Sequence, residues 1–356
     1  MLFVGCCLGF ILSSLVFTNT TEKFNQTISS FYASRQRSAQ NSVKTTNISK
    51  PEKKYVTPAH LTPITHEKRR SGLDVVFSGN GTKWIAQPAM CSKNTSGFFR
   101  ATLKTTVGST AIFVYNPEVD IWVSKSIVRY GSWEGNYINL IIALLQKDQD
   151  LQFVDIGTNV GVFALAVALF GRRVVAVDAL SMNIKRLCSS VNEGNFRRQV
   201  KMVYNALSDV YETVSLGMDK NNVGGTFVAK DKNANKVRGS KVVGNYGTVQ
   251  TIKMDDFLTL PDFNFEKVIM KIDVEGYESR VFKGGEVFFK KVDVQAVLME
   301  WMWLKTGNAG QDIINFMLRH NMEPHVPHIN PQPLDIKNHA QWPGDVLWRK
   351  KPSMKT

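Results

Sequence analysis

The chain has 356 residues, of which 43% are hydrophobic, a proportion that is ordinary for globular proteins and enough for a sizeable core. This length corresponds to about two domains. The formal net charge is +14, and the four cysteines are too few to indicate a redox compartment. The composition therefore excludes a chain without a packed core. Which partner the positive charge indicates depends on where the basic residues lie in the sequence.

The N-terminus is an apolar segment. Met1–Phe17 carries no charge, and the first charged residue is Glu22. A bilayer span needs about 20 residues, so the segment suffices if Thr18–Thr21 form its edge. It has no basic region before the apolar run and no small-residue cleavage site. We expect residues 1–21 to be a signal anchor, with a cleaved signal peptide or a buried helix as alternatives.

Residues 22–70 have the composition of a disordered stem, rich in Ser, Thr, Asn, Gln and Lys and interrupted by prolines. They hold ten Lys or Arg and three Glu, and therefore about half of the net charge of +14. Such charge can indicate nucleic-acid binding. Beside an apolar N-terminus it favours a solvated linker that faces an anionic membrane or polyanionic glycans. We therefore expect no nucleic-acid partner.

Glycosylation sequons favour a lumenal chain. The acceptor pattern Asn-x-Ser/Thr occurs at five positions and at none after the fifth, namely Asn19, Asn25, Asn47, Asn80 and Asn94. This distribution predicts a single-pass type II glycoprotein of the Golgi or endoplasmic reticulum, or a secreted protein. A linker rich in Ser, Thr and Asn also produces sequons by chance, and that alternative stays open.

Two cysteines, Cys91 and Cys188, remain beyond the N-terminal segment. One disulfide between them is possible. Cys188 lies in a predicted helix beside Leu187 and Val191, so we expect it to be a buried thiol.

The stretch from Leu151 to Asp178 (LQFVDIGTNVGVFALAVALFGRRVVAVD) predicts the core of the fold. A short apolar run ends in Asp155, and a glycine-containing turn and an apolar helix follow. A second run, Val174–Val177, leads to Asp178. Both runs are apolar at every position, as expected for strands that are buried on two faces. This βαβ unit predicts a doubly wound, mostly parallel α/β sheet that binds its ligand at the carboxyl ends of the strands.

The residues of the turn in this unit narrow the choice of ligand. Gly157 and Gly161 permit close backbone approach, and Asn159 tolerates positive φ. The spacing D-x-G-x-N-x-G lacks the third glycine of a dinucleotide fold, and an acid before the turn repels phosphate. Asp178 can accept hydrogen bonds from a ribose diol. A cationic ligand with ribose and no phosphate is S-adenosylmethionine (SAM), although a turn that binds nothing remains the alternative.

Further elements follow from periodicity. We expect a flanking region at residues 71–131 and the main domain at residues 132–356. The polar, glycine-rich stretch 212–250 predicts a β excursion over the sheet. The remaining predictions are strands at Ala111–Tyr115, Ile121–Val123 and Val200–Ala206 and helices at Trp133–Leu145, Ser181–Glu193 and Gln311–His320.

Acidic side chains follow two later strands. Val268–Asp273 (VIMKID) places Lys271 and Asp273 on one face, and a buried lysine is costly unless it is paired. Val294–Glu300 again ends in an acid. The carboxyl ends of parallel strands meet at one edge, so Asp273, Glu275 and Glu300 are expected beside Asp155 and Asp178. A purely structural ion pair of Lys271 is the alternative.

Together these segments resemble FkbM-type methyltransferases. The resemblance lies in FVDIGTNVG, in Asn205–Ser208, in Met254–Phe257 (MDDF) and above all in KIDVEGYE at Lys271–Glu278, and it covers about Ser132–Leu304. It implies a class I methyltransferase fold with a seven-stranded, mostly parallel sheet. It also implies SAM-dependent O-methylation of hydroxyls, often on sugars or glycosylated metabolites.

The resemblance assigns a cofactor-binding set. Its members are Asp155, Gly157, Thr158, Asn159 and Gly161 at the methionine end, Asp178 at the ribose, and Ala206. The chain departs from the family at Asp178-Ala179, where Glu-Pro is more common. The shorter Asp makes the ribose contact less secure.

For catalysis we expect Asp273 or Glu275 as the base and Glu300 as the group that orients the acceptor. Crowding of the three acids is expected to raise one pKa toward neutrality. The same acids can hold a divalent cation, although we favour a metal-free site. A non-catalytic lumenal binding protein and a nicotinamide-dependent oxidoreductase are the rival functions. The candidates for an acceptor pocket are three tryptophans and one of two histidines, namely Trp301, Trp303, Trp342 and His325 or His328.

Overall fold

The computed structural model describes residues 75–92, 94–219, 222–229 and 246–352, together with Ser30. The predicted anchor at residues 1–21 lies outside this part, as does the predicted stem at residues 22–70 apart from Ser30. Among the described residues, no helix combines the length and the apolar character that a membrane span requires.

Strands and helices alternate along much of the described chain. The strands are β1 (Val76–Gly79), β2 (Trp84–Ala86), β3 (Phe99–Thr105), β4 (Gly108–Val114), β5 (Gln152–Ile156), β6 (Val174–Asp178), β7 (Val200–Tyr204), β8 (Ala206–Leu207), β9 (Thr213–Asp219), β10 (Asn222–Ala229), β11 (Thr248–Ile252), β12 (Lys267–Ile272), β13 (Asp293–Glu300), β14 (Met322–His325) and β15 (Asp345–Lys350). The α-helices with described bounds are α1 (Val123–Tyr130), α2 (Gly135–Leu145), α3 (Val162–Leu169), α4 (Ser181–Glu193), α5 (Glu278–Lys283), α6 (Glu286–Lys291) and α7 (Asn308–Arg319).

A nine-stranded mixed sheet forms the centre of the described fold, in the order β14-β15-β13-β12-β5-β6-β7-β1-β2. The six strands from β13 to β1 in this order are parallel, whereas β15 runs antiparallel to both of its neighbours. Strand β2 closes an antiparallel hairpin with β1. The predicted α/β fold is confirmed. The predicted count of seven strands is not, because β1 pairs with β7 and extends the edge of the sheet by a hairpin.

Helices cover both faces of the sheet. Successive side chains of one strand point to opposite faces, so Phe153 packs with helices α1 to α4 and Val154 packs with helices α5 to α7. On β6, Val174 packs on the side of α1 to α4 and Val175 packs on the side of α5 to α7. This two-sided burial explains why β5 and β6 are apolar at consecutive positions.

A second sheet, β10-β9-β11-β8, confirms the predicted β excursion. The predicted strand at Ile121–Val123 is wrong, since α1 begins at Val123. The reason is Asp120, whose buried carboxylate accepts hydrogen bonds from the backbone N–H groups of Val123 (3.3 Å) and Ser124 (3.0 Å). These bonds satisfy donors of a first helical turn, which outweighs the β-branched pattern of the sequence.

Cys188 forms a disulfide with Cys91, so the expectation of a buried thiol is wrong. The bond joins the 3-10 helix Pro88–Cys91 to α4, and the two Cα atoms are 5.4 Å apart. A sequence separation of 97 residues leaves no local pattern that would reveal the pairing.

We predict that Cys91→Ala destabilises the domain by about 2–4 kcal/mol, because a cross-link over a long loop restricts the unfolded chain. Chemical denaturation of the wild type and the variant measures this difference. Adding reductant to the wild type should reproduce it, and should leave the variant unchanged. Equal midpoints, with free thiols in the wild type by mass spectrometry, would contradict the disulfide.

Candidate functional site

An open cleft lies at the carboxyl ends of the central strands, with an empty volume of about 950 Å³. Its walls are the turn after β5, the end of β6, strand β8, strand β10 and the loop after β12. The predicted residues that line it are Gly157, Thr158, Asn159, Asp178, Ala206, Asp273 and Glu275.

The turn after β5 takes its shape from positive φ angles at Gly157 (77°), Asn159 (53°) and Gly161 (90°). A Cβ on Gly157 would overlap the backbone carbonyl oxygen of Asp273, and one on Gly161 would overlap Leu187. The two glycines therefore allow the turn to lie directly against the end of β12 and α4. This close approach brings the ends of β5 and β12 to the same cleft.

Asp178 ends β6 and lines the cleft, but it is also bound within the protein. Its carboxylate accepts hydrogen bonds from the backbone N–H groups of Asn159 and Leu180 (both 2.8 Å) and from the Asn183 amide (3.0 Å). Burial raises the pKa of Asp178 to about 7, against the opposing effect of these bonds. The carboxylate thus shapes the turn and faces the cleft at once.

Asp155 does not line the cleft. It is fully buried behind the turn, and the hydroxyl of Thr158 donates to its Oδ2 atom at 2.7 Å. Lys271 on β12 is its partner in strand register. Burial raises the pKa of Asp155, and the Lys271 charge is the largest opposing influence. In this position Asp155 supports the turn from behind.

The three predicted catalytic acids lie together. Asp273, Glu275 and Glu300 each offer a carboxylate oxygen, and these oxygens lie within 4.8 Å of one another. The Nζ atom of Lys271 is 3.2 Å from Oδ2 of Asp273 and 5.1 Å from the centroid of the Phe163 ring. The predicted pairing of the buried lysine is therefore present, directly at the acidic cluster.

The loop that carries Asp273 and Glu275 is held by Glu278. Its Oε1 atom accepts hydrogen bonds from the backbone N–H groups of Val274 and Gly276, each at 3.2 Å. The loop has positive φ at Glu275 (59°) and Gly276 (92°). Burial raises the pKa of Glu278 to about 7. The positive φ of Glu275, which is unfavourable for a glutamate, is thus held in place by the buried carboxylate of Glu278.

Comparison with known sequences assigns a family to this part of the chain. Residues 155–324 match the family described as methyltransferase FkbM domain. The chain carries an FkbM methyltransferase domain. No curated protein matches the chain.

The FkbM domain also has similar solved structures. A SAM-dependent O-methyltransferase from Thermotoga maritima is 9% identical, with a TM-score of 0.34 and coverage of 72% of this chain and 79% of that chain. An O-methyltransferase from Streptomyces achromogenes involved in tomaymycin synthesis, in complex with SAM, is 12% identical, with a TM-score of 0.36 and coverage of 66% and 88%. An O-methyltransferase from Bacillus cereus in complex with S-adenosylhomocysteine (SAH) is 12% identical, with a TM-score of 0.32 and coverage of 60% and 80%.

Some residues at the cleft of the FkbM domain have no counterpart among the sequence predictions. Glu134 is 2% exposed, has a positive φ of 50° and lines the cleft at the start of α2. A smaller cavity of about 180 Å³ adjoins it, lined by Glu134, Tyr137, Lys271, Asp273, Glu300 and Asp345 among others. The Tyr137 hydroxyl donates to Asp345 at 3.0 Å. No motif in the sequence marks Glu134, Tyr137 or Asp345.

The indole rings of Trp301 and Trp342 do not line the cleft of the FkbM domain. They lie in the core on the α5–α7 side of the sheet, with ring centroids 4.7 Å apart. The Nε1–H groups of both indoles donate to backbone carbonyls, of His339 and Asp335 respectively. As candidates for an acceptor pocket these two side chains are excluded by their burial.

We predict that Gly157→Ala lowers the free energy of unfolding by about 2–4 kcal/mol, since it adds a steric overlap to an unfavourable φ. Thermal denaturation measures the loss. Gly171→Ala is the matched control, because Gly171 has a φ of 91° but no atom within 4 Å of an added Cβ. Equal losses in the two variants would show that the contact with Asp273 does not constrain the turn.

We predict that Glu278→Gln changes how stability depends on pH. The folded-state pKa of Glu278 lies above its ordinary value of 4.5, so wild-type stability falls as pH rises from about 4.5 to about 7. The glutamine retains the acceptor for Val274 and Gly276 and carries no charge. The variant should match the wild type near pH 4 and exceed it by up to about 3 kcal/mol at pH 8.

Denaturation curves between pH 4 and pH 8 measure this difference. Glu266→Gln serves as the control, because Glu266 is exposed and its substitution should leave the profile unchanged. Parallel profiles for the wild type and Glu278→Gln would contradict the buried, raised-pKa carboxyl.

Proposed function

We propose that this chain is a SAM-dependent O-methyltransferase that acts on a hydroxyl of a glycan or of another small glycosylated acceptor in the secretory pathway. The observation that carries the proposal is the set of side chains that line the cleft. It holds a carboxylate suited to a ribose diol, Asp178, and a group of acids suited to proton transfer, Asp273 and Glu275. The FkbM family match supports methyl transfer as the reaction.

The lining of the cleft fits SAM in its chemistry. Ala206, Leu207, Leu216 and Val228 offer apolar surface to a purine ring, next to the diol-binding carboxylate of Asp178. The acids at the other end suit a cationic amino-acid moiety. When bound, SAM supplies an electrophilic methyl group on a sulfonium centre.

The acids give the chain a means of removing the acceptor proton. We assign Asp273 as the base, because Lys271 at 3.2 Å favours its ionised form. Glu275 and Glu300 lie close enough to accept hydrogen bonds from the same acceptor and to orient it. The Asp273 carboxylate would take the proton of the acceptor hydroxyl, whose oxygen gains the methyl group as the methyl–sulfur bond of SAM breaks and SAH leaves.

Features outside the cleft support a compartment with glycan acceptors. The described sequon residues Asn80 and Asn94 are both exposed, as a glycosylation acceptor must be. The Cys91–Cys188 disulfide is typical of oxidising compartments. Together with the apolar segment at residues 1–21, these features favour a single-pass type II membrane protein with a lumenal domain, or a secreted one.

Titration of SAM and of SAH into the full chain tests the cofactor. Saturable binding in the micromolar range, measured by calorimetry, is the expected result. Incubation with SAM labelled on its methyl group and a panel of glycans then identifies the acceptor. A folded chain that binds neither compound would overturn the methyltransferase proposal in favour of a non-catalytic binding protein.

The acidic cluster permits a second version of the same reaction. Asp273, Glu275 and Glu300 have the oxygen ligands that a divalent cation prefers, and such a cation would polarise the acceptor hydroxyl. We favour the metal-free version because Lys271 already places a cation at Asp273. Methyl transfer that persists in excess chelator supports this choice, and loss restored by Mg²⁺ or Mn²⁺ contradicts it.

We predict that Asp273→Asn lowers kcat by about 100-fold or more, since an amide cannot take the acceptor proton, while the variant still binds SAM. Single-turnover methyl transfer and calorimetry measure the two quantities separately. Glu275→Gln is the matched control and should mainly raise the KM of the acceptor. Unchanged turnover in Asp273→Asn with SAM bound would contradict the assignment of the base.

A further inference from the structure

Asn183 connects two walls of the cleft. One N–H of its side-chain amide donates to Oδ1 of Asp178 at 3.0 Å, and the amide also donates to the backbone carbonyl of Gly224 on β10 at 3.0 Å. The side chain is fully buried on α4. A single amide thus bonds both the carboxylate at the end of β6 and the strand that covers the cleft.

The orientation of this amide is set by its partners. The hydroxyl of Tyr115 donates to Oδ1 of Asn183 at 2.6 Å, whereas the carboxylate and the carbonyl can only accept. Tyr115 is itself buried, and its ring lies 3.7 Å from the guanidinium carbon of Arg186. Every hydrogen-bonding atom of the Asn183 amide therefore has a partner, and rotation of the amide would break all three bonds.

Strand β10 is shaped for close approach at this point. Its pairing with β9 shifts in register between Asn222 and Thr226, and Gly225 donates its N–H to the Asn222 side chain within this bulge. A Cβ on Gly224 would overlap the amide of Asn159. The backbone of Gly224 therefore touches the turn after β5 on one side and Asn183 on the other.

We propose that Asn183 is a positioning residue for the donor: it holds the Asp178 carboxylate and strand β10 in a fixed relation and so sets the affinity of the cleft for a ribose diol. This inference rests on the proposed function. Its physical basis is the cost of misplacing a buried carboxylate whose remaining lone pairs are to accept hydroxyl donors. Asn183 acts through Asp178 and Gly224 and does not itself line the cleft.

The test compares two ligands on the full chain by calorimetry: SAH and its 2′,3′-dideoxyribose analogue. Asn183→Ala should weaken SAH binding by about 10-fold, the effect of losing one hydrogen bond to a charged group. It should weaken binding of the analogue by less than about 3-fold, because the analogue has no hydroxyls for Asp178. Equal losses for both ligands would overturn the proposal and make Asn183 a residue of general structural importance.

Two further variants keep the test decisive. Asn192→Ala is the matched control on the same helix, because Asn192 bonds Arg197 and Cys188 away from the cleft. It should leave the affinities for both ligands unchanged. Tyr115→Phe preserves the packing and removes the hydroxyl that orients Asn183, so a smaller, ribose-dependent loss is expected even if Asn183→Ala fails to fold. A Tyr115→Phe loss equal for both ligands would overturn the proposal.

Hydrogen exchange gives an independent readout of the link to β10. Addition of SAH should slow amide exchange at residues 222–229 in the wild type, and this protection should be lost in Asn183→Ala. Protection that survives in the variant would overturn the link. A wild type that binds no SAH at all would instead refute the proposed function, and the positioning role of Asn183 with it.

Discussion

The site depends on a buried lysine among carboxylates. Lys271 is only 7% exposed in a central strand, where an unpaired ammonium would cost several kcal/mol. It is stabilised by Asp273, which directly follows its strand, and by the ring of Phe163, and Asp155 lies beside it in strand register. The lysine thereby permits acids from two adjacent strands to remain at one edge. The Lys271 charge lowers the pKa of Asp155, against the opposing effect of burial.

Backbone conformation imposes a second constraint on the same place. Among the described residues, three that are not glycine combine a positive φ with a position in the cleft lining, namely Glu134, Asn159 and Glu275. Each such residue costs of order 1 kcal/mol or more and persists only where the surroundings determine it. For the turn and the loop, the surroundings are hydrogen bonds to Asp178 and to Glu278. The apolar core on both faces of the sheet supplies the free energy that offsets the cost of these positive φ angles.

The sequence predicts those parts of the site that follow from local pattern. An apolar run that ends in an acid identifies a strand and its carboxyl end, and parallel strands bring those ends together; this pattern identifies Asp178 and Asp273. No local pattern marks Asn183, because its role depends on hydrogen-bond partners that lie on other elements. Tyr137 and Asp345 meet across 208 residues for the same reason. The predicted count of seven strands is not confirmed for a similar reason, since the β1–β2 hairpin is too short to show a hydrophobic period.

The buried acids bear on the energetics of the proposed reaction. The transfer consumes one positive charge, that of the sulfonium, and releases one proton. If Asp273 takes that proton, its negative charge disappears together with the positive charge of the donor, and the sum within the cleft stays constant. Creating an uncompensated charge in a partly buried site would cost several kcal/mol. A carboxylate as the base therefore suits the reaction, because its charge offsets that of the donor before the transfer and vanishes with it afterwards.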